Sequence, residues 1–70
     1  MTTTVDARGL SCPQPALLTR NAVRAARGGT IEVLIDTETA RDNCTRVAQR
    51  EGWKVEVHEE GGGYRLVLSR

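Results

Sequence analysis

Apolar and polar positions alternate along a short stretch in the last third of the chain. From Lys54 to Glu59, Val55 and Val57 stand against charged neighbours, which predicts a strand with one wet face. Tyr64 to Leu68 predicts a last strand, joined to the third as a hairpin across Gly61-Gly62-Gly63. Thr30 to Ile35 is a compact apolar run, with Ile31, Val33, Leu34 and Ile35, and reads as the second strand. Thr3-Thr4-Val5 is β-branched and predicts a short first strand.

Between these strands the pattern becomes helical. Pro13 to Ala26 predicts a helix, with Pro13 at the first helical position, where its missing N–H costs nothing. Gly28-Gly29 stops it. Leu18, Ala22, Ala25 and Ala26 fall on one side; Arg20, Arg24 and Arg27 fall on the other, with Leu17 between them. After Asp36 and Thr37, a second helix is predicted from Thr39 to Glu51, with Gly52 as its left-handed cap. Ala40, Cys44, Val47 and Ala48 recur there at core spacing, whereas Arg41, Asp42, Arg46, Gln49 and Arg50 face outward or flank. Asp6 to Ser11, containing Gly9, is a loop.

The order β-α-β-α-β-β predicts an α/β (α+β) two-layer sandwich. Each strand–helix–strand unit implies parallel neighbours with right-handed crossovers, and the amphipathic helices pack on one face of the sheet. Residues 1–70 read as a single domain with no linker and no internal repeat. A chain this short buries only about 60% of the surface its unfolded form exposes. A deep multi-residue active site has no room; one exposed reactive group, or a binding face, fits.

Charge narrows the function. Lys and Arg number 10 against 9 Asp and Glu, a net charge of +1. That balance argues against direct nucleic-acid binding, which needs a basic excess or stripe. No apolar run is long enough to span a membrane, and Met1 to Val5 lacks the regions of a signal peptide. A cytoplasmic protein with reduced thiols is expected. Two cysteines, Cys12 and Cys44, are too few for a disulfide scaffold or a structural zinc site, so no metal is expected.

The chemistry points to Cys12, within Gly9-Leu10-Ser11-Cys12-Pro13-Gln14-Pro15. Preceding a helix-starting proline, Cys12 is expected to be the cap residue. A helix start carries partial positive charge and unpaired N–H groups, and both favour a thiolate or a persulfide anion. Pro13 and Pro15 remove two of those donors, leaving Gln14 and Ala16, and stiffen the entry into the helix. The expected result is a rigidly displayed, moderately activated sulfur. His58, the only histidine, lies on the third strand and outside this motif, so a cysteine hydrolase is not indicated. The absence of Cys-x-x-Cys argues against a thioredoxin-type cycle. Neither glycine cluster suits a phosphate loop, since both fit helix-end and hairpin roles.

At this motif the chain resembles the TusA/SirA-like family of sulfur carrier proteins. The matching residues are Asp6, Gly9-Leu10, Cys12-Pro13 and Pro15, followed by the helix with Arg20, the glycine turn, the strand ending at Asp36, the second helix and Gly52. Val5 to Leu10, Cys12 to Pro15, and Thr39-Ala40 followed by Asn43 look most like the YedF-type branch, often associated with selenium metabolism. The resemblance implies a mixed four-stranded sheet in the order 1-2-4-3. It implies that Cys12 accepts sulfane sulfur from a cysteine desulfurase or related donor as a persulfide and hands it to an acceptor protein. No other cofactor is implied, and the protein is expected to act as a relay rather than a stand-alone multi-turnover enzyme.

Other residues carry paired readings. Arg8 either raises the potential near Cys12, or meets an acidic partner patch, or is a solvated loop residue. Asp6 suits a strand-end turn, its carboxylate bonding backbone N–H groups. Gly9 provides a backbone shape that other residues resist. Leu17, Arg20 and Arg24 are candidates for partner docking; the plainer readings are a partly buried edge residue for Leu17 and a wet helix face for the arginines. Cys44 reads as a small core residue; the sharper alternative is a resolving thiol within reach of Cys12. Trp53 reads as core or sheet-edge cover, and His58 as a surface strand residue. The alternatives to a sulfur relay are a non-catalytic interaction or regulatory module and a selenium carrier using the same thiol.

Overall fold

The computed structural model describes residues 2–26 and 28–70. Its elements are β1 (Thr2–Asp6), α1 (Gln14–Ala25), β2 (Thr30–Ile35), α2 (Glu38–Arg50), β3 (Lys54–Glu60) and β4 (Gly63–Ser69). The sheet order is β1-β2-β4-β3, as the family resemblance implied. β1 and β2 are parallel, with Val5 opposite Val33. β4 is antiparallel to both β2 and β3, with Leu66 opposite Val33 on one side and Val57 on the other.

This register gives the two central strands, β2 and β4, a shared buried face, while Val57 on the edge strand β3 stays exposed. Ile31, Val33 and Ile35 of β2, with Leu66 and Leu68 of β4, are essentially inaccessible to water. Burying each such side chain stabilises the fold by about 1.5–3 kcal/mol relative to its exposure. Both helices cover that face. Cys44 and Ala48 of α2 reach the core, as does Trp53 just beyond its end; Ala40 packs from one turn earlier. The Trp53 N–H returns to the Ala48 carbonyl, closing the helix end after Gly52. Gly61 and Gly62, with φ of 55° and 82°, make the two-residue hairpin loop. Gly63 already belongs to β4, paired with Glu60.

Three expectations are corrected. The buried stripe of α1 is Pro15, Thr19 and Val23, while Leu18 and Ala25 are exposed; Ala22 and Ala26 are half-buried. Thr19 reads as polar, but its hydroxyl donates to the Pro15 carbonyl at 2.9 Å. With its polar atom bonded within the helix, the side chain is buried at little desolvation cost. The second correction concerns the helix start. Pro13 is the cap and Gln14 the first helical residue, so Cys12 lies one position outside the cap. α2 begins one residue earlier than predicted because the Thr37 hydroxyl caps it, accepting from the Ala40 N–H at 3.1 Å. Arg27, predicted to extend the arginine stripe, lies outside the described residues.

Candidate functional site

β1 and β2 are parallel, so the helices that follow them start at the same end of the sheet. Cys12 lies there, between the beginnings of α1 and α2. The loop carrying it is pinned to β2. Ala7 is buried and donates its N–H to the Leu34 carbonyl at 2.9 Å, extending the β1–β2 pairing by one residue. Two residues later the Gly9 N–H donates to Asp36 Oδ2 at 2.9 Å, with Gly9 at φ 75°. A side chain is disfavoured at that φ, which accounts for the glycine.

Asp6 and Arg8 close the base of the loop. Asp6 accepts the Arg8 N–H at 3.1 Å and two guanidinium bonds at 2.9 and 2.8 Å. The Arg8 side-chain hydrogen bonds, then its backbone bond, hold the Asp6 carboxyl at about 2, below the usual carboxylate range. Asp6 in turn raises the Arg8 guanidinium. Both groups are exposed, and the guanidinium is committed to Asp6 rather than to Cys12.

Beyond Gly9 the chain rises through Leu10 and Ser11 to Cys12, all exposed. The Gln14 N–H donates to the Ser11 carbonyl at 2.8 Å, folding a turn around Cys12 and Pro13. One of the two donors expected to remain free at the start of α1 is thereby used. Pro15 has no N–H, and the Leu17 N–H goes to the Pro13 carbonyl at 3.1 Å. Among the described residues, the Ala16 N–H is the first-turn donor left without a protein acceptor.

Beside Cys12 is a hollow of about 30 Å³, walled by Leu10, Pro13, Pro15 and Ala16 on one side and Thr37, Thr39, Ala40 and Asn43 on the other. Asn43 Nδ2 lies 3.9 Å from Cys12 Sγ. Sequence reasoning noted Asn43 only as part of a resemblance and gave it no chemical role. Its signal was its place six residues into a helix whose start meets the cysteine loop. Asp36, Thr37 and Thr39 were likewise passed over.

The remaining candidates separate into two groups. Leu17 is 48% exposed and lines a shallow apolar depression with Leu10, Gln14 and the unexpectedly exposed Leu18, next to the cysteine loop. Arg20 and Arg24 border a second groove, between α1 and the end of α2. Arg24 pairs with Glu51 at 3.2 Å, whereas Arg20 makes no ion pair among the described residues. Away from the site, His58 sits on the edge strand β3, its Nε2 3.1 Å from Glu56 Oε1. Cys44 is fully buried, and burial pushes its thiol up, with a hydrogen bond to Thr19 opposing. The described residues contain no cluster of three or more His, Cys, Asp or Glu side chains able to hold a metal ion. None of their helices is long and apolar enough to cross a membrane.

Residues 3–70 match the family model described as sulfurtransferase TusA. The sulfur carrier protein TusA of Pseudomonas paraeruginosa is 36% identical over 62 residues, covering 86% of this chain and 78% of that protein; the same figures hold for its counterpart in Pseudomonas aeruginosa. The crystal structure of a SirA-like protein from Desulfitobacterium hafniense superposes with a TM-score of 0.88 at 28% identity. That match covers 99% of this chain and 96% of the other.

Proposed function

The chain belongs to the sulfurtransferase TusA family, and on that premise we propose that it carries sulfur as a persulfide on Cys12. The observation that supports this most directly is the contrast between its two thiols. Cys12 is exposed at the rim of a hollow between two helix starts, and Cys44 is sealed in the core.

The transfer needs no oxidant. The Cys12 thiolate attacks the outer sulfur of a donor persulfide. A bond forms between Cys12 Sγ and that sulfur, the donor's S–S bond breaks, and the donor leaves as a thiolate. Release reverses the roles: an acceptor thiolate takes the outer sulfur and Cys12 departs as the leaving group. Net oxidation state is conserved at each step. Exposure matters because the attacking atom must meet a sulfur held by another protein. Rigidity matters because the reacting sulfurs must align; the Ala7 and Gly9 tethers and the two prolines supply it. The protein thus acts as a relay whose turnover depends on its partners.

The donor on this reading is a cysteine desulfurase or another source of sulfane sulfur, and the acceptor a second protein. The apolar depression of Leu10, Leu17 and Leu18 is the docking surface beside the thiol, with Arg20 and Arg24 along the adjoining groove. A partner with an apolar centre and an acidic rim fits it.

The test is intact-protein mass spectrometry of wild type and Cys12→Ser after incubation with a cysteine desulfurase and cysteine, without reductant. Wild type should gain the mass of one sulfur, lose it on reduction, and the variant should gain none. If neither gains mass while a control carrier does, transfer from this donor is refuted. Unaltered partner binding by both proteins would then favour an interaction module.

A further inference from the structure

Asn43 is half-buried in the second turn of α2, and both ends of its side-chain amide are engaged. Its Oδ1 accepts from Arg46 Nη1 at 3.5 Å, and its Nδ2 faces Cys12 Sγ at 3.9 Å. A guanidinium can only donate, so its contact assigns the acceptor end of the amide to Arg46 and leaves the NH₂ towards the sulfur. The orientation follows from helical spacing, since residues three apart lie on one face.

A separation of 3.9 Å is long for a strong bond to Sγ. It suits an atom attached to Sγ. A second sulfur, bonded at about 2.05 Å, can swing into the gap and come within hydrogen-bonding distance of Nδ2. In a persulfide anion that outer atom carries the formal negative charge. The adjoining hollow is of matching size: about 30 Å³, lined mainly by apolar side chains such as Leu10, Pro13, Pro15 and Ala40, accommodates roughly one water-sized guest. The Thr37 hydroxyl, which accepts from the Ala40 N–H, and Thr39 also line the hollow, as does Ala16, whose N–H is a second donor on the α1 side.

Resting on the persulfide reading, we infer that this hollow seats the outer sulfur of the Cys12 persulfide, with Asn43 as its hydrogen-bond donor and Arg46 as the positioning residue that aims the amide. The site favours loaded over unloaded protein. It gives α2, and not the cysteine loop alone, a part in holding the cargo.

The test is an equilibrium. Protein is mixed with glutathione persulfide, whose outer sulfur exchanges with Cys12: glutathione persulfide anion and Cys12 thiolate give glutathione thiolate and Cys12 persulfide anion. The loaded fraction is read by intact mass for wild type, Asn43→Ala, Asn43→Asp, Arg46→Ala and Arg46→Lys. Circular dichroism confirms the fold of each, and alkylation of the unloaded protein reports on Cys12 before loading. Losing a hydrogen bond to a charged acceptor should shift the exchange constant about tenfold against loading in Asn43→Ala. Asn43→Asp, which puts a carboxylate against the outer sulfur, should shift it further. Arg46→Ala should give a smaller loss that Arg46→Lys restores. Alkylation of unloaded Cys12 should stay within about twofold in Asn43→Ala, because Sγ itself is beyond strong bonding range, whereas the carboxylate of Asn43→Asp slows it by repelling the thiolate.

Wild type that loads, with Asn43 variants that load equally well, overturns the inference and leaves Cys12 as the carrier. A parallel fall in alkylation of the unloaded thiol in Asn43→Ala also overturns it, because Asn43 would then act on the cysteine loop. Wild type that takes up no sulfur overturns the persulfide reading itself.

Discussion

Replacing Cys44 with alanine separates the two thiols by cost and by function. The Cys44 side chain is fully enclosed among the core residues that join α2 to the sheet. Truncation removes one sulfur atom and leaves a small void. Deletions of comparable size cost about 1–2 kcal/mol in transfer and cavity terms. Thr19 loses a neighbour but keeps its bond to the Pro15 carbonyl. A chain of 70 residues has a total stability of about 4–10 kcal/mol, so the variant should remain folded. Its thermal midpoint should fall by roughly 4–8 °C per kcal/mol lost. Thermal and urea unfolding followed by circular dichroism would show a lower midpoint, with the urea m-value unchanged. Persulfide loading on Cys12, measured below the new transition, should equal that of wild type. The raised thiol of Cys44 adds a sign. The fold favours its neutral form, so this contribution is complete below the ordinary thiol range and is lost as pH rises through the elevated folded value. A Cys44→Ala protein as stable as wild type would refute the core assignment. One that is stable but fails to load, or holds its persulfide abnormally long, would refute the separation of roles and revive the resolving-thiol alternative.

Two further outcomes follow from the geometry around the loop. Carboxyl NMR should find Asp6 titrating at about 2, and Arg8→Gln should return it towards the ordinary carboxylate value; the Asp6–Arg8 clasp therefore stabilises the fold above the unfolded carboxyl pKa near 4 and is lost as pH falls through about 2. Gly63→Ala would place a Cβ 2.5 Å from the Ile35 carbonyl oxygen and 3.3 Å from Asp36 Cα, both main-chain atoms, at a cost of about 1–3 kcal/mol. Because Asp36 also holds the Gly9 N–H, the Gly9 amide resonance should shift, and an unmoved resonance would show that hairpin and cysteine loop are uncoupled.

The element order was legible because each strand and helix repeats its own period over enough residues to be read. β2 and α2 were recovered to within a residue or so, with Gly52 marking the end of α2 and the hairpin glycines the end of β3. The face of α1 was misread for a specific reason. Leu18 is apolar and Thr19 is not, but burial follows from whether a polar atom finds a partner, and Thr19 finds the Pro15 carbonyl within its own helix. The helix start was displaced by one residue because a proline suits the cap as well as the first turn, and local sequence does not choose between them.

Local sequence alone determined which sulfur to examine. A cysteine among prolines at a loop-to-helix junction pointed to a stiffly held, reactive sulfur, and the spacing of Cys44 along α2 marked it as core. What stands opposite Cys12 belonged to the tertiary structure. The parallel pairing of β1 with β2 brings both helix starts to one end of the sheet, and it sets Asn43, 31 positions away in the chain, 3.9 Å from the sulfur. Periodicity reports which face of an element is buried. It carries no information about which residue of a distant element that face will meet, because that depends on the register and crossover of the assembled sheet.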